Sequence, residues 1–193
     1  MHVADGILPT SGCAAAFAGS AVWLGLSCRR VEVPEASRMG LAAAATFVVS
    51  TIQFPLMGMP AHLAMLGLLG ILLGRRAFPA LFASLLFQAL LLQHGGLVSL
   101  GVNALNMGSG TLVGAGIWRL RAVPSGVRAA LAGFCGSLLP VLLLAWEFEA
   151  ANYGRGFYAV AAALASVAVV EGLVTVLAVR FFRRARPDLL AVA

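Results

Sequence analysis

Lysine is absent from this 193-residue chain, in which all thirteen basic residues are arginine. Without lysine there is no P-loop, whose Lys side chain reaches the nucleotide phosphates, and no Schiff-base chemistry. Charge of either sign is scarce. Only 10% of the residues are charged, against about 25% in an ordinary soluble domain. Cysteine is sparse as well: Cys13, Cys28 and Cys135 stand far apart, which gives neither a disulfide framework nor a Cys-x-x-Cys metal motif. Apolar residues are what the chain has, 61% of it, with a mean hydropathy of +0.98. The net charge of +6 rests on arginines lying between apolar runs, not on one solvated face, so nucleic acid is not the expected partner. An all-α integral membrane protein of one domain, residues 1–193, is the class that remains.

Hydropathy divides the chain into seven apolar stretches at about 12–27, 39–54, 61–74, 77–93, 102–118, 128–146 and 157–180, preceded by a short segment 1–11. A helix needs about 20 apolar residues to cross ~30 Å of hydrocarbon, and backbone at that depth must satisfy its own hydrogen bonds as helix. These stretches predict a bundle of seven transmembrane helices. With the N-terminus outside and the C-terminus cytoplasmic, twelve arginines fall on the inner side and Arg155 alone on the outer, the asymmetry that positive-inside topology demands. Met1–Gly6 has no basic residue and contains Asp5, so it does not read as a secretory signal. Small residues at Gly12, Ala16, Ala42–Ala45, Gly108, Gly110, Gly114 and Gly116 suit close helix packing in lipid.

Polar groups within a membrane are costly and therefore informative. The three histidines, His2, His62 and His94, all fall toward one side of the expected bundle. His62 opens the third stretch, about thirteen residues from Arg75-Arg76. At ~1.5 Å per residue it lies roughly 20 Å above that boundary, short of the far interface. The preceding Pro55 to Pro60, with Gly58 between them, cannot continue as regular helix. Irregular backbone at such depth is tolerated where it lines a cavity, so His62 is expected to open onto a pocket. A chain beginning Met1-His2 offers an amine, an amide and an imidazole in succession, a planar nitrogen set that suits Cu(II) or Ni(II). His62 is the candidate for a fourth nitrogen. Metal held by imidazole should be lost as pH falls through the His range near 6.5.

The same residues carry a resemblance. Met1-His2-Val3-Ala4-Asp5-Gly6-Ile7-Leu8, the block from Phe87-Gln88-Ala89-Leu90 through His94-Gly95-Gly96 to Asn103 and Asn106-Met107, and Glu171-Gly172-Leu173 resemble, in order, motifs of the CbiM/NikM family. Members of that family are the substrate-binding membrane components of cobalt and nickel energy-coupling-factor transporters. The resemblance implies capture of Co2+ or Ni2+ by Met1, His2 and His62, with His94, Asn103 and Asn106 in a loop over the site, orienting the ligands. Glu171 is assigned to a helix contact or a release route. It further implies no catalytic activity, no organic cofactor, and placement in the cytoplasmic membrane of a prokaryote. The partners implied are a transmembrane coupling subunit, cytosolic ATPase subunits and a small accessory membrane protein, in service of cobalamin synthesis or nickel enzymes.

Three other readings stand beside this one. An intramembrane serine protease would use Gly108-Ser109-Gly110 but needs a His base in a later helix, and no histidine follows His94. An ATP-independent nickel or copper permease needs polar groups through the whole membrane depth, where Glu171 stands as the one acidic residue near the middle. A membrane interaction subunit without a transport role leaves the histidines unexplained.

Overall fold

The computed structural model describes residues 2–56, 59–154 and 156–190. Its helices are α1 (Thr10–Ser27), α2 (Val33–Thr51), α3 (Leu66–Leu73), α4 (Ala77–Leu92), α5 (Leu100–Trp118), α6 (Ser125–Ala150) and α7 (Phe157–Ala185). Between α2 and α3 lies a two-stranded antiparallel hairpin, β1 (Gln53–Leu56) and β2 (Met59–His62), in the register that sets Gln53 opposite His62. The prolines that prevent helix here are accommodated as strand: Pro55 pairs with Pro60 at the two-stranded turn end, where no third strand asks for the missing N–H.

A seven-span bundle with the N-terminus outside is not supported. Among the described residues three helical stretches are long and apolar enough to cross a membrane, Leu66–Leu92, Ser125–Ala150 and Phe157–Ala185. The first of these is not one rod. Gly74 takes φ 53°, a 3-10 turn covers Gly74–Arg76, and the chain reverses. His62 before α3 and His94 after α4 have ring centroids 5.2 Å apart, whereas 27 residues of straight helix would separate them by about 40 Å. At eight residues, α3 is about 12 Å long and cannot span. The odd number of crossings behind the N-out, C-in assignment falls with it. Hydropathy misread this stretch because it is apolar all round: seven of its eight residues are buried in protein, the pattern of a core helix.

Glycine places α3 at the centre. A Cβ on Gly67 would overlap the Ala132 carbonyl oxygen and lie 2.6 Å from Gly133 Cα, and one on Gly114 would lie 2.7 Å from Gly67 Cα. Gly70 meets Thr111 and Ala115, and Gly110 meets Gly136. Helices α3, α5 and α6 therefore touch backbone to backbone. Gly12 and Gly116, also expected to pack, have nothing within 4 Å.

At the end opposite the histidines, the buried Arg76 guanidinium gathers three segments. It donates to the carbonyls of Ser27, Arg29 (2.9 Å) and Arg30 (3.0 Å) and to Glu35 Oε2 (2.9 Å). The Ser27 carbonyl belongs to the end of α1, where a cation offsets the negative dipole end. Glu35 lies in the first turn of α2 and closes a capping box with Glu32.

Candidate metal centre

The segment preceding α1 folds back over the start of α5. Val3 N–H donates to Asn103 Oδ1 (2.8 Å), and Asn103 Nδ2 returns a bond to Val3 O (2.9 Å). Ser99 Oγ donates to Val3 O (2.8 Å). The Asp5 carboxylate accepts from Ser99 N–H (2.8 Å) and Val98 N–H (3.3 Å), and its Oδ1, 2.9 Å from Ser99 Oγ, shares that hydroxyl's single proton with Val3 O. Ser99, the residue before α5, makes no side-chain cap of its own. Asp5 instead holds the two amides just ahead of the helix, its negative charge facing the positive helix end. Burial alone would raise the Asp5 carboxyl, but the hydrogen bonds from Ser99 and Val98 hold it below its ordinary value of 3.8.

This route leaves room only for glycine on the facing loop. A Cβ at Gly96 would collide with the Asp5 carboxylate, and one at Gly95, where φ is +82°, would press on Asn103 Nδ2 and His2 Cβ. His94-Gly95-Gly96 thus lies flat beneath residues 2–5. At the start of that loop Gln93 adopts the left-handed conformation that ends α4, φ 52°, and His94 N–H turns back to Gln88 O (3.2 Å).

The three imidazoles meet here. Ring centroids are 5.0 Å apart for His2 and His62, 4.4 Å for His2 and His94, and 5.2 Å for His62 and His94. Each ring offers a nitrogen within 4.8 Å of the other two. A cation at about 2.1 Å from each of two nitrogens keeps them within roughly 4.2 Å, so the cluster needs only a slight closing to hold one. His62 is fully buried, and its Nδ1–H donates to Leu63 O (3.1 Å). That bond fixes the tautomer and leaves Nε2, 3.2 Å from His2 Nε2, as the ligating atom. His94 Nδ1 lies 3.3 Å from the Gln53 side-chain amide, and His94 Nε2 is buried without a partner among the described residues. Turned over, the Gln53 amide accepts from Nδ1–H and frees the Nε2 lone pair for the cluster. Burial pushes His2 well below the ordinary 6.5 and His94 down to about 4. Both rings are neutral near pH 7, the form a metal takes, and protons compete at a lower pH than an ordinary imidazole implies.

The profile of the family described as "Cobalt uptake substrate-specific transmembrane region" matches residues 2–189. The chain belongs to that family. It is 34% identical over 215 residues to a protein of Geobacter sulfurreducens named "Cobalt transport protein CbiM", covering 99% of this chain and 62% of the relative. To the "Fused nickel transport protein NikMN" of Rhodobacter capsulatus it is 31% identical over 222 residues, covering 99% and 64%. It thus spans a little under two thirds of the length of each. A crystal structure of a truncated transition metal transporter superposes with a TM-score of 0.86 at 25% identity, covering 96% of this chain and 99% of that one.

Within this member of the cobalt uptake family, the residues singled out from sequence divide into those the fold unites and those it does not. His2, His62 and His94 converge, and His94 faces the cluster itself instead of lying over it. Asn103 clamps the backbone beside His2. Met1 lies outside the described residues. Asn106 points elsewhere, donating from Nδ2 to both carboxylate oxygens of Glu147 (2.9 and 2.8 Å). That pair lines a cavity of about 300 Å³ with Leu8, Pro9 and Trp146 among its walls. Ser109, the nucleophile of the protease reading, donates to Asn106 O one turn back on its own helix (2.6 Å), and the histidines lie among themselves.

Ser99 and Gln53 were not singled out, and Asp5 was noted only as an acid and a turn residue of the opening segment, not as an anchor. Asp5→Ala should loosen residues 2–5 and lower metal affinity about tenfold, as loss of a ligand's outer support does. Equilibrium dialysis checks the affinity, and limited proteolysis checks the anchor. Because the folded-state carboxyl is lowered, the anchor is fully present above 3.8 and is lost as pH falls through the lowered value.

Proposed function

We propose that this protein captures Co2+ or Ni2+ at the cluster of His2, His62 and His94 and delivers the ion to an ATP-driven import complex made of other subunits. The observation that carries this reading is the convergence of three neutral imidazoles, one buried and two half-buried, from segments 32 to 92 positions apart in the chain, with ligand nitrogens within 4.8 Å. The relatives' names, a cobalt transport protein and a fused nickel transport protein, support the choice of cargo. Imidazole nitrogen suits both ions.

The composition of the chain supports a division of labour. It has no lysine and so no P-loop, and the energy comes from cytosolic ATPase subunits acting through a transmembrane coupling subunit, with a small accessory membrane protein beside it. The protein itself is a binding subunit, not an enzyme. It lies in the cytoplasmic membrane of a prokaryote, where imported cobalt feeds cobalamin synthesis and nickel feeds nickel enzymes.

Metal analysis of the full chain, purified in detergent after growth with CoCl2 or NiCl2, tests the reading. About one ion per chain is expected, released on acidification. A folded preparation that retains neither ion after brief desalting would refute it.

A further inference from the structure

Helix α3 begins immediately after the His62 corner and has no cap of its own: Met65, at its N-cap position, makes no side-chain cap bond and sits at φ 56°. The amides just ahead of it lie in the protein interior, with Ala64 fully buried, where an unsatisfied N–H is expensive. Glu171, more than a hundred residues away on α7, supplies the acceptor. Its Oε1 receives Ala64 N–H (2.5 Å) and Met65 N–H (2.9 Å), and the residue is completely buried. Glycine on the neighbouring helix makes the approach possible: a Cβ at Gly133 would lie 2.6 Å from Glu171 O. The second oxygen, Oε2, has no partner among the described residues, so the carboxylate's contacts are spent on this corner alone.

We infer that Glu171 is a positioning residue for the metal centre, holding the His62–Met65 corner by two backbone hydrogen bonds so that the His62 ring faces His2 and His94. The inference deepens the metal-capture reading and rests on it for its effect on affinity. His62 stands two residues before the first bonded amide. Its Nδ1–H is in turn held by the Leu63 carbonyl within the same corner, so a shift of the corner moves the ring and its tautomer partner together. The arrangement parallels that of Asp5 at α5: just ahead of each of these two helices, a pair of amides is held by a carboxylate from a remote segment.

The test uses the full chain in detergent with Glu171→Gln, Glu171→Leu and, as reference, His62→Ala, probed with CoCl2 alone. Glutamine keeps an oxygen for both amides; leucine keeps none. The Leu variant is expected to lose about tenfold or more in Co2+ affinity and to shift its visible Co2+ absorption toward that of His62→Ala, while the Gln variant stays within about threefold of the parent. Hydrogen exchange in the metal-free proteins is read at Ala64 and Met65, with faster exchange expected in Leu only. Should the Leu variant not fold, Glu171→Asp, one methylene short of the two amides, takes its place with the same expectation. Unchanged exchange at Ala64 and Met65 in the Leu or Asp variant overturns the inference, as does a Gln variant as impaired as Leu. If the exchange pattern holds while the parent binds no Co2+, the capture reading fails and the anchoring of the His62 corner by Glu171 stands.

Discussion

Replacing His62 with alanine should strip the protein of its cobalt or nickel while leaving the bundle folded. Groups that merely orient a ligand cost about 10–100-fold in affinity when removed, and a ligand itself belongs at or beyond the upper end, ~100-fold. Of the three imidazoles, His62 is the one fully buried, with its tautomer fixed by Leu63 and its Nε2 already facing His2. Its backbone place does not depend on the ring, since the pairing with Gln53 across the hairpin is made by main chain. Titration calorimetry with NiCl2 measures the loss, and circular dichroism with size-exclusion elution checks the fold. A His62→Ala protein that binds nickel as tightly as its parent would remove His62 from the site.

Gly67→Ala should damage the protein in the opposite manner, through the fold and not through the ligands. The added methyl would overlap the Ala132 carbonyl and crowd Gly133 Cα, and neither is a side-chain tip that can swing away. Overpacking of this kind costs roughly 1–3 kcal/mol and sometimes more. Here the upper end applies, because Gly67 also forms the surface that Gly114 and Gly136 pack against. The expected result is a marked fall in thermal midpoint and in folded yield from the membrane. Gly116→Ala, at a position with nothing within 4 Å, is the control and should be neutral. Equal midpoints for the two variants would contradict the packing described for α3.

The membrane character of the chain was legible because it is written in bulk composition, and the helical nature of the apolar stretches followed from the need to pair every backbone group. The number of crossings was not. Leu66–Leu73 is as apolar as a lipid-facing helix, and hydropathy does not distinguish a residue buried in protein from one buried in lipid. The prolines at 55 and 60 announced a break in the helix, but the antiparallel hairpin they form depends on a register that no local signal carried. At the site, residue chemistry pointed to the histidines, whereas their supports depended on which segments the fold brings together. Asp5 and Glu171 each hold the amides just ahead of a helix that starts near the cluster, about a hundred residues away in sequence, and such a contact has no local pattern. Asn103 and Asn106 illustrate the same limit: three residues apart on α5, one grips Val3 and the other Glu147, a difference decided by the faces they occupy.

The tether of residues 2–5 has two fastenings of unlike character. Asn103 grips Val3 through neutral bonds in the dry interior, where neither protons nor dissolved ions reach. Asp5 faces solvent and holds the amides of Val98 and Ser99 by charge, which ionic strength screens and acid removes. Salt therefore loosens the Asp5 fastening and leaves the Asn103 grip on Val3 in place, so ionic strength frees residues 4 and 5 before it frees His2.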